Sequence, residues 1–377
     1  MSLCHALSDF YATVFTPLVE TFRATFGLDK AEVAIIGAVI GVFGSMVQPL
    51  FGMWSDRSRR GVMAAVGLVV SAVFVCLIGL APGAVVLGAL LTVGALGVAA
   101  FHPSSAVLAT QRAPRRSIAM GYFLSGGGVG LALAPLVSAW IVKHLGLPHL
   151  WIICFPGLLF GVWIYTTTRG EPRAEPMGRA FNLRAVFARE AGPVWTLFTV
   201  AVLRSFVITV FAFFASVLGA ERGWGVMDSG LVLSLFLGCS VVGSVVGGHV
   251  AQVREPRSVL AVSCVTAAPL FYVYAASSGW PAVVAFGLAG LFFGLGNPVN
   301  VSFAQELRPR QASTVTGLMM GLAWGVANVL LIPIGAVSER VGIGVALEWV
   351  AWLGLVAGGF AMLLPRRPAA PAPTPHG

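Results

Sequence analysis

The sequence predicts an all-α membrane protein of twelve transmembrane helices, arranged as two six-helix pseudo-repeats. Three observations predict it. Hydrophobic residues make up 58% of the 377 and charged residues only 10%, against about 25% charged in a soluble domain. The apolar residues fall in runs of roughly 20, the length that crosses the ~30 Å hydrocarbon layer as a helix. The chain also resembles itself at an offset of 195 or 196 residues.

The runs are 4–25, 32–53, 61–80, 84–108, 117–142, 149–168, 194–218, 228–251, 257–277, 282–305, 312–336 and 344–364. In lipid each must satisfy its own backbone hydrogen bonds, so each is expected as a helix. Short connections leave no room for a soluble catalytic domain. The longest connection, 169–193, is rich in Pro, Glu and Arg and reads as a linker between an N-terminal half, 1–168, and a C-terminal half, 194–364. The Pro/Ala-rich tail, 365–377, is expected to be disordered.

The repeat shows in several places at once. Thr13–Phe15 and Thr209–Phe211 both read TVF, Gly52 meets Gly248, and Gly126 and Gly130 meet Gly321 and Gly325. His102-Pro103 meets Asn297-Pro298, and Pro114-Arg115 meets Pro309-Arg310. Proline removes a backbone donor, so Pro103 and Pro298 are expected to loosen the fourth and tenth helices at corresponding points. Interrupted helices in matching positions are a pointer to a binding site.

The net charge of +9 reflects topology. With the N-terminus in the cytoplasm, the inner loops carry seventeen basic residues and the outer loops five: Arg23, Lys30, Lys143, Arg222 and Arg340. The positive-inside rule then places both termini in the cytoplasm and argues against a nucleic-acid partner. Arginine outnumbers lysine 21 to 2, which suggests a GC-rich bacterial genome and hence the bacterial inner (cytoplasmic) membrane. The five cysteines stand singly in apolar runs, without metal spacing or a disulfide framework. No phosphate-binding loop, nucleophile elbow or zinc motif occurs. No enzyme activity, cofactor or metal is expected.

Ionisable and strongly polar residues inside spans are costly and usually face a cavity or a partner. The strongest are few: His5 and Asp9 in the first run, His102 in the fourth, Arg204 in the seventh, Asn297 and Asn300 in the tenth, with Glu348, near the outer end of the twelfth, read as interfacial and His249, near the inner end of the eighth, as structural. His5 and Asp9 are spaced i, i+4 and share a helix face. Asp9 is the first choice for a proton-coupling carboxylate; the alternative is a fixed contact to His5 or the backbone. His102 can relay protons, hold an anionic group or simply pack. Arg204 lies too deep to snorkel and needs either Asp9 or an anionic substrate as counter-charge.

Several stretches resemble the major facilitator superfamily. GMWSDRSRRG, Gly52 to Gly61, is similar to its loop motif between helices 2 and 3, with Arg59 where a second glycine is expected. GVGLALAPLVSA, Gly128 to Ala139, looks like its helix-5 antiporter motif, with Ala134 in place of a glycine and Ser138-Ala139 for the closing pair. HALSD, FHPSS and FLSGGGVG resemble the fosmidomycin-resistance branch.

The resemblance implies the major facilitator fold, with helices 1, 4, 7 and 10 lining a central cavity. It implies that Gly52, Asp56, Arg57, Arg59 and Arg60 form a latch between the halves. An ordinary solvated loop is the alternative. Gly126, Gly127, Gly130 and Pro135 become a packed helix-5 hinge, with simple helix packing as the alternative. The expected function is proton-coupled export of a small drug or metabolite, anionic and phosphonate-like by resemblance, through alternating access. An importer of a small metabolite and a non-transporting scaffold or sensor stand as alternatives. The expected partners are the substrate, protons and the lipid bilayer, with the chain as a monomer.

Overall fold

The computed structural model describes residues 1–55, 58–110, 116–169, 192–308 and 312–366. They are helical almost throughout, with no strand among them. Eleven stretches are long and apolar enough to cross a membrane, one fewer than the twelve runs of the sequence. The difference lies in the first run. It forms α1 (Ser2–Thr13), a tight turn at Thr16–Leu18 and α2 (Val19–Phe26). Pro17 starts that turn; it cannot donate to the preceding helix, so one long helix becomes two short ones. The run stops at Gly27, whose φ of 64° lies in the left-handed region that glycine tolerates.

The next run begins at α3 (Lys30–Gly41), started by a reciprocal cap: Asp29 Oδ1 accepts from Glu32 N–H at 2.7 Å, and Glu32 Oε2 from Asp29 N–H at 2.9 Å. It passes through a wide π turn, Val42–Met46, into α4 (Gln48–Ser55). Then come α5 (Arg60–Cys76), α6 (Ala84–Thr110), α7 (Arg116–His144) and α8 (Cys154–Thr168). Beyond the linker follow α9 (Gly192–Glu221), α10 (Val226–Val253), α11 (Pro256–Ala276), α12 (Gly279–Gly294) and α13 (Asn297–Leu307). The last are α14 (Ala312–Gly317), a second π turn at Leu318–Leu322, α15 (Ala323–Val329), α16 (Leu331–Val341) and α17 (Ile343–Met362).

The paired prolines behave differently. The chain breaks between Gly294 and Asn297, just before Pro298, but α6 runs through Pro103 without interruption. Two glycines, Gly294 and Gly296, weaken the first site. At Pro103 only Ala99 O loses its helical donor, and the carbonyls on either side also accept from side chains: Val98 O from His102 Nδ1–H at 2.8 Å, and Ala100 O from Ser104 Oγ–H at 3.3 Å. Likewise α7 continues across Pro135. Pro114, Pro309, Arg310, most of the 169–193 linker and the tail from 367 lie outside the described residues.

The helices before residue 169 pack mainly on one another: α5 on α6 and α8, α1 on α7. Those after 192 do the same, α11 on α17 and α12, α10 on α12. Phe286 lies in this second core, stacked on Phe236 at 4.1 Å and on Tyr274 at 4.0 Å between ring centroids. Two seams join the sets, α3 along α16 and α7 along α10. The π turns of the two sets touch each other on the first seam. At the end bearing Lys30 the sets are tied by charge. Lys30 Nζ lies 2.9 Å from Glu221 Oε1, and Lys30 N–H donates to Glu339 Oε1 at 2.6 Å. Toward the other end α4 packs on α6 of its own set, and Tyr122 is 70% exposed.

Tyr11 ties α1 to the start of α8. Its hydroxyl donates to Ile153 O and accepts from Gly157 N–H, both at 2.9 Å, in a buried setting. Tyr11→Phe leaves both groups without this partner and is expected to cost about 1–3 kcal/mol. A lower Tm of the purified protein checks it; an unchanged Tm contradicts the assignment.

Candidate functional site

The structure brings His5, Asp9 and His102 together. Asp9 Oδ1 lies 2.9 Å from His102 Nε2, and Asp9 Oδ2 lies 3.3 Å from His5 Nε2. The Asp9 side chain is 14% exposed. Each histidine points its other nitrogen at a backbone carbonyl: His5 Nδ1 at Phe123 O, 2.7 Å, and His102 Nδ1 at Val98 O, 2.8 Å. A carbonyl only accepts, so both Nδ1 atoms carry a hydrogen. In its neutral form each ring therefore turns a bare Nε2 lone pair toward an Asp9 oxygen. A bare nitrogen facing a carboxylate is repulsive, and each contact needs a proton between its two atoms. That proton sits on Nε2 or on the carboxyl. The cluster is built to hold protons.

Local packing fixes this geometry. The i, i+4 spacing stacks His5 and Asp9 along α1. The His5 ring lies flat on Phe123, centroids 4.0 Å apart and planes 9° apart. Gly127 makes the room: a Cβ there would fall on the Asp9 carboxylate and 2.6 Å from His5 Cε1. Its neighbours Gly126 and Gly130 lie against the backbone carbonyls of Ser2 and Ala6. These glycines therefore seat α7 on α1, within one set of helices, and across the seam it is Gly128 that meets Val241 of α10.

The second group centres on Arg204, 4% exposed on α9. Nη1 donates to Ser263 Oγ at 2.8 Å and Cys264 Sγ at 3.1 Å. Nη2 donates to Phe293 O at 2.5 Å and Asn297 Oδ1 at 3.1 Å. The guanidinium carbon sits 4.3 Å from the Phe293 ring centroid, a cation–π distance. The pairing of Arg204 with Asp9 that the sequence allowed is absent here: each is held by its own set of helices. Asn297 Nδ2 donates onward to Ser244 Oγ at 3.2 Å. Asn300 is buried, and its Oδ1 has no partner.

The two groups lie within one residue of the same register: an offset of 195 carries His102 to Asn297 and Asp9 to Arg204, while the TVF match in the first and seventh runs is at 196. Asp9–His102 and Arg204–Asn297 are the same contact, made once in each set, each between residues 93 apart. The formal charge is negative in one pair and positive in the other.

Sequence reasoning missed Phe123, Ser244, Ser263 and Phe293. A phenylalanine or a serine in an apolar helix carries no distinguishing signal. Cys264, read as a small buried hydrophobe, is buried and also accepts from Arg204. Of the expected latch, Asp56 and Arg57 lie outside the described residues. Arg59 Nη1 donates to Arg169 O at 3.4 Å, at the end of α8 in its own set. Arg60 opens α5, and Gly52 packs beside Pro103. An apolar groove of about 250 Å³, lined by residues such as Phe206, Ile334 and Trp349, contains none of these polar groups.

Two sets of membrane-length helices, each enclosing a buried ionisable group, fit the class of multi-pass secondary transporters. The chain belongs to the Major Facilitator Superfamily, whose family model matches residues 1–332. It is a transporter of small molecules, embedded in the membrane, and not an enzyme. It is 25% identical to the MFS-type transporter YfnC of Bacillus subtilis (strain 168), covering 97% of this chain and 91% of that protein. It is also 25% identical, with the same coverage of each, to the fosmidomycin resistance protein of Escherichia coli (strain K12). Among solved structures it resembles a bacterial homolog of the human lysosomal transporter Spinster, with a TM-score of 0.78, 17% identity, and 96% and 95% of the two chains covered.

Two predictions follow from the packing. Gly127→Ala overpacks the cluster, at a cost of about 1–3 kcal/mol; a lower Tm together with weakened transport is expected, and a fully active, equally stable variant contradicts it. Lys30→Gln removes the ion pair with Glu221 at the end where charge ties the sets. Spin labels at Thr25→Cys and Ser277→Cys in a cysteine-free background should then show a larger share of long distances. An unchanged distribution means the pair does not hold that end shut.

Proposed function

We propose that the chain is a proton-coupled exporter of a small anionic molecule. It lies in the bacterial inner membrane with both termini cytoplasmic. Its halves, 1–168 and 194–364, rock about a central site. In that topology the end tied by Lys30, Glu221 and Glu339 faces outward, so the arrangement is open to the cytoplasm. The observation that carries the reading is Asp9 between two histidine Nε2 atoms whose opposite nitrogens are committed to carbonyls. A proton leaving this cluster must be replaced, and rocking of the two halves, by opening the cluster to one side of the membrane or the other, sets when that exchange takes place. The Arg204–Asn297 pair supplies the matching cation for an anion. The fosmidomycin resistance protein among the relatives supports a phosphonate-like cargo and the outward direction.

Everted membrane vesicles with an acid interior test the proposal. Adding fosmidomycin or another transported compound should partly collapse the pH gradient with the native chain, and Asp9→Asn should abolish that response. Uptake of compound that leaves the gradient untouched, or an Asp9→Asn variant with full response, overturns proton antiport through this cluster.

A further inference from the structure

We propose that the break between α12 and α13 is the binding site for the oxyanion of the transported molecule, and that Asn297 is the group the anion displaces from Arg204. This rests on the reading of an anionic cargo and adds where its charge is held and which residue selects for it.

Arg204 is a buried cation whose acceptors are all neutral: a hydroxyl, a thiol, a backbone carbonyl and a carboxamide. No carboxylate of the described residues lies within ion-pair distance of it. A charge inside a span usually has a charged partner, and a buried guanidinium without one is a strong attractor for an anion. The chain leaves α12 at Gly294, turns through Leu295 and Gly296 in right-handed helical conformation, and enters α13, where Asn300 N–H donates to Gly296 O at 3.0 Å. The first N–H groups of α13 follow directly on the last carbonyls of α12, one of which, Phe293 O, accepts from Arg204, so the positive charge of the site is that of Arg204. The backbone and the cation are in contact there: a Cβ on Gly296 would lie 2.5 Å from the guanidinium carbon.

The four acceptors are not equivalent. Ser263 and Cys264 are fully buried and Phe293 offers its main chain. Asn297 alone is exposed. It holds Arg204 with a 3.1 Å bond from the end of a rotatable side chain, and its Nδ2 reaches Ser244 Oγ at 3.2 Å. An arriving carboxylate or phosphonate has only this bond, charged on the Arg204 side alone, to break. One of its oxygens replaces Oδ1 on Arg204 Nη2, and the Asn297 side chain swings aside. The new bond carries charge on both partners and the old one on Arg204 only, so the exchange favours an anion over a neutral analogue. The empty site is thus satisfied by a stand-in amide.

The test uses the purified full chain and reads Tm and affinity with fosmidomycin, inorganic phosphate and acetate as probes. Asn297→Asp places a carboxylate where the anion would sit. Its Tm without ligand should rise, and its affinity for the anion that binds the native chain best should fall by about tenfold or more. Asn297→Ala uncovers Arg204 and should bind that anion at least as tightly as the native chain; it carries the test alone if Asn297→Asp does not fold. Undiminished binding by Asn297→Asp, loss of binding in Asn297→Ala, or a native chain that binds none of the three probes overturns the proposal. Binding is read without a proton gradient. Predicted binding together with a silent vesicle assay would keep this site and remove proton coupling.

Discussion

An ionisable side chain in hydrocarbon must find a partner, and this constraint organises the structure. Asp9 and Arg204 lie in the first and seventh runs, and each is enclosed by hydrogen bonds from its own set of helices. The solutions are chemically different. Asp9 is met by two imidazoles, groups able to share a proton with it. Arg204 is met by four neutral acceptors, which cannot neutralise it. The first arrangement can change charge by moving a proton; the second keeps its charge.

The helix packing serves these two points. Glycines where α7 crosses α1 bring the backbones close enough for the His5 ring to stack on Phe123. Close packing of small residues is how helices associate in lipid, where the hydrophobic effect gives no drive between them. The seams between the sets differ from the contacts inside them. They carry the π turns Val42–Met46 and Leu318–Leu322 and the charged tie at Lys30. Wider turns and a partly exposed ion pair are easier to rearrange than a close-packed core, so the seams suit a motion that leaves each set intact.

Hydropathy made most of the fold legible. The run at 149–168 became Leu147–Thr168, and that at 344–364 became Ile343–Met362, because a backbone in lipid has few options besides the helix. Pro17 was present in the first run but unweighted, and it cost that run its continuity. Prolines alone did not reveal breaks: Pro298 needed its flanking glycines, and Pro103 had none. For the candidate site, the i, i+4 pairing of His5 with Asp9 was legible, and so were Arg204 and Asn297 as polar exceptions. That His102 closes on Asp9 from 93 residues away was not. Nor was the reach of Arg204 to Ser263 and Cys264, since such contacts are set by how helices lie together. The glycines of the fifth run were legible as a packed helix-5 hinge or simple helix packing; that Gly127 also provides room for the acid was not.

The central claim is that Asp9 and its two histidines hold an exchangeable proton on the Nε2 side. Nitrogen NMR of histidine-labelled protein in lipid, followed across pH with His5→Gln and His102→Gln for assignment, tests it most directly. The account predicts that both Nδ1 atoms remain protonated throughout, and that at least one Nε2 gains and loses its proton in a way that Asp9→Asn alters. A bare Nδ1 on either ring, or Nε2 signals indifferent to pH and to Asp9→Asn, would contradict it.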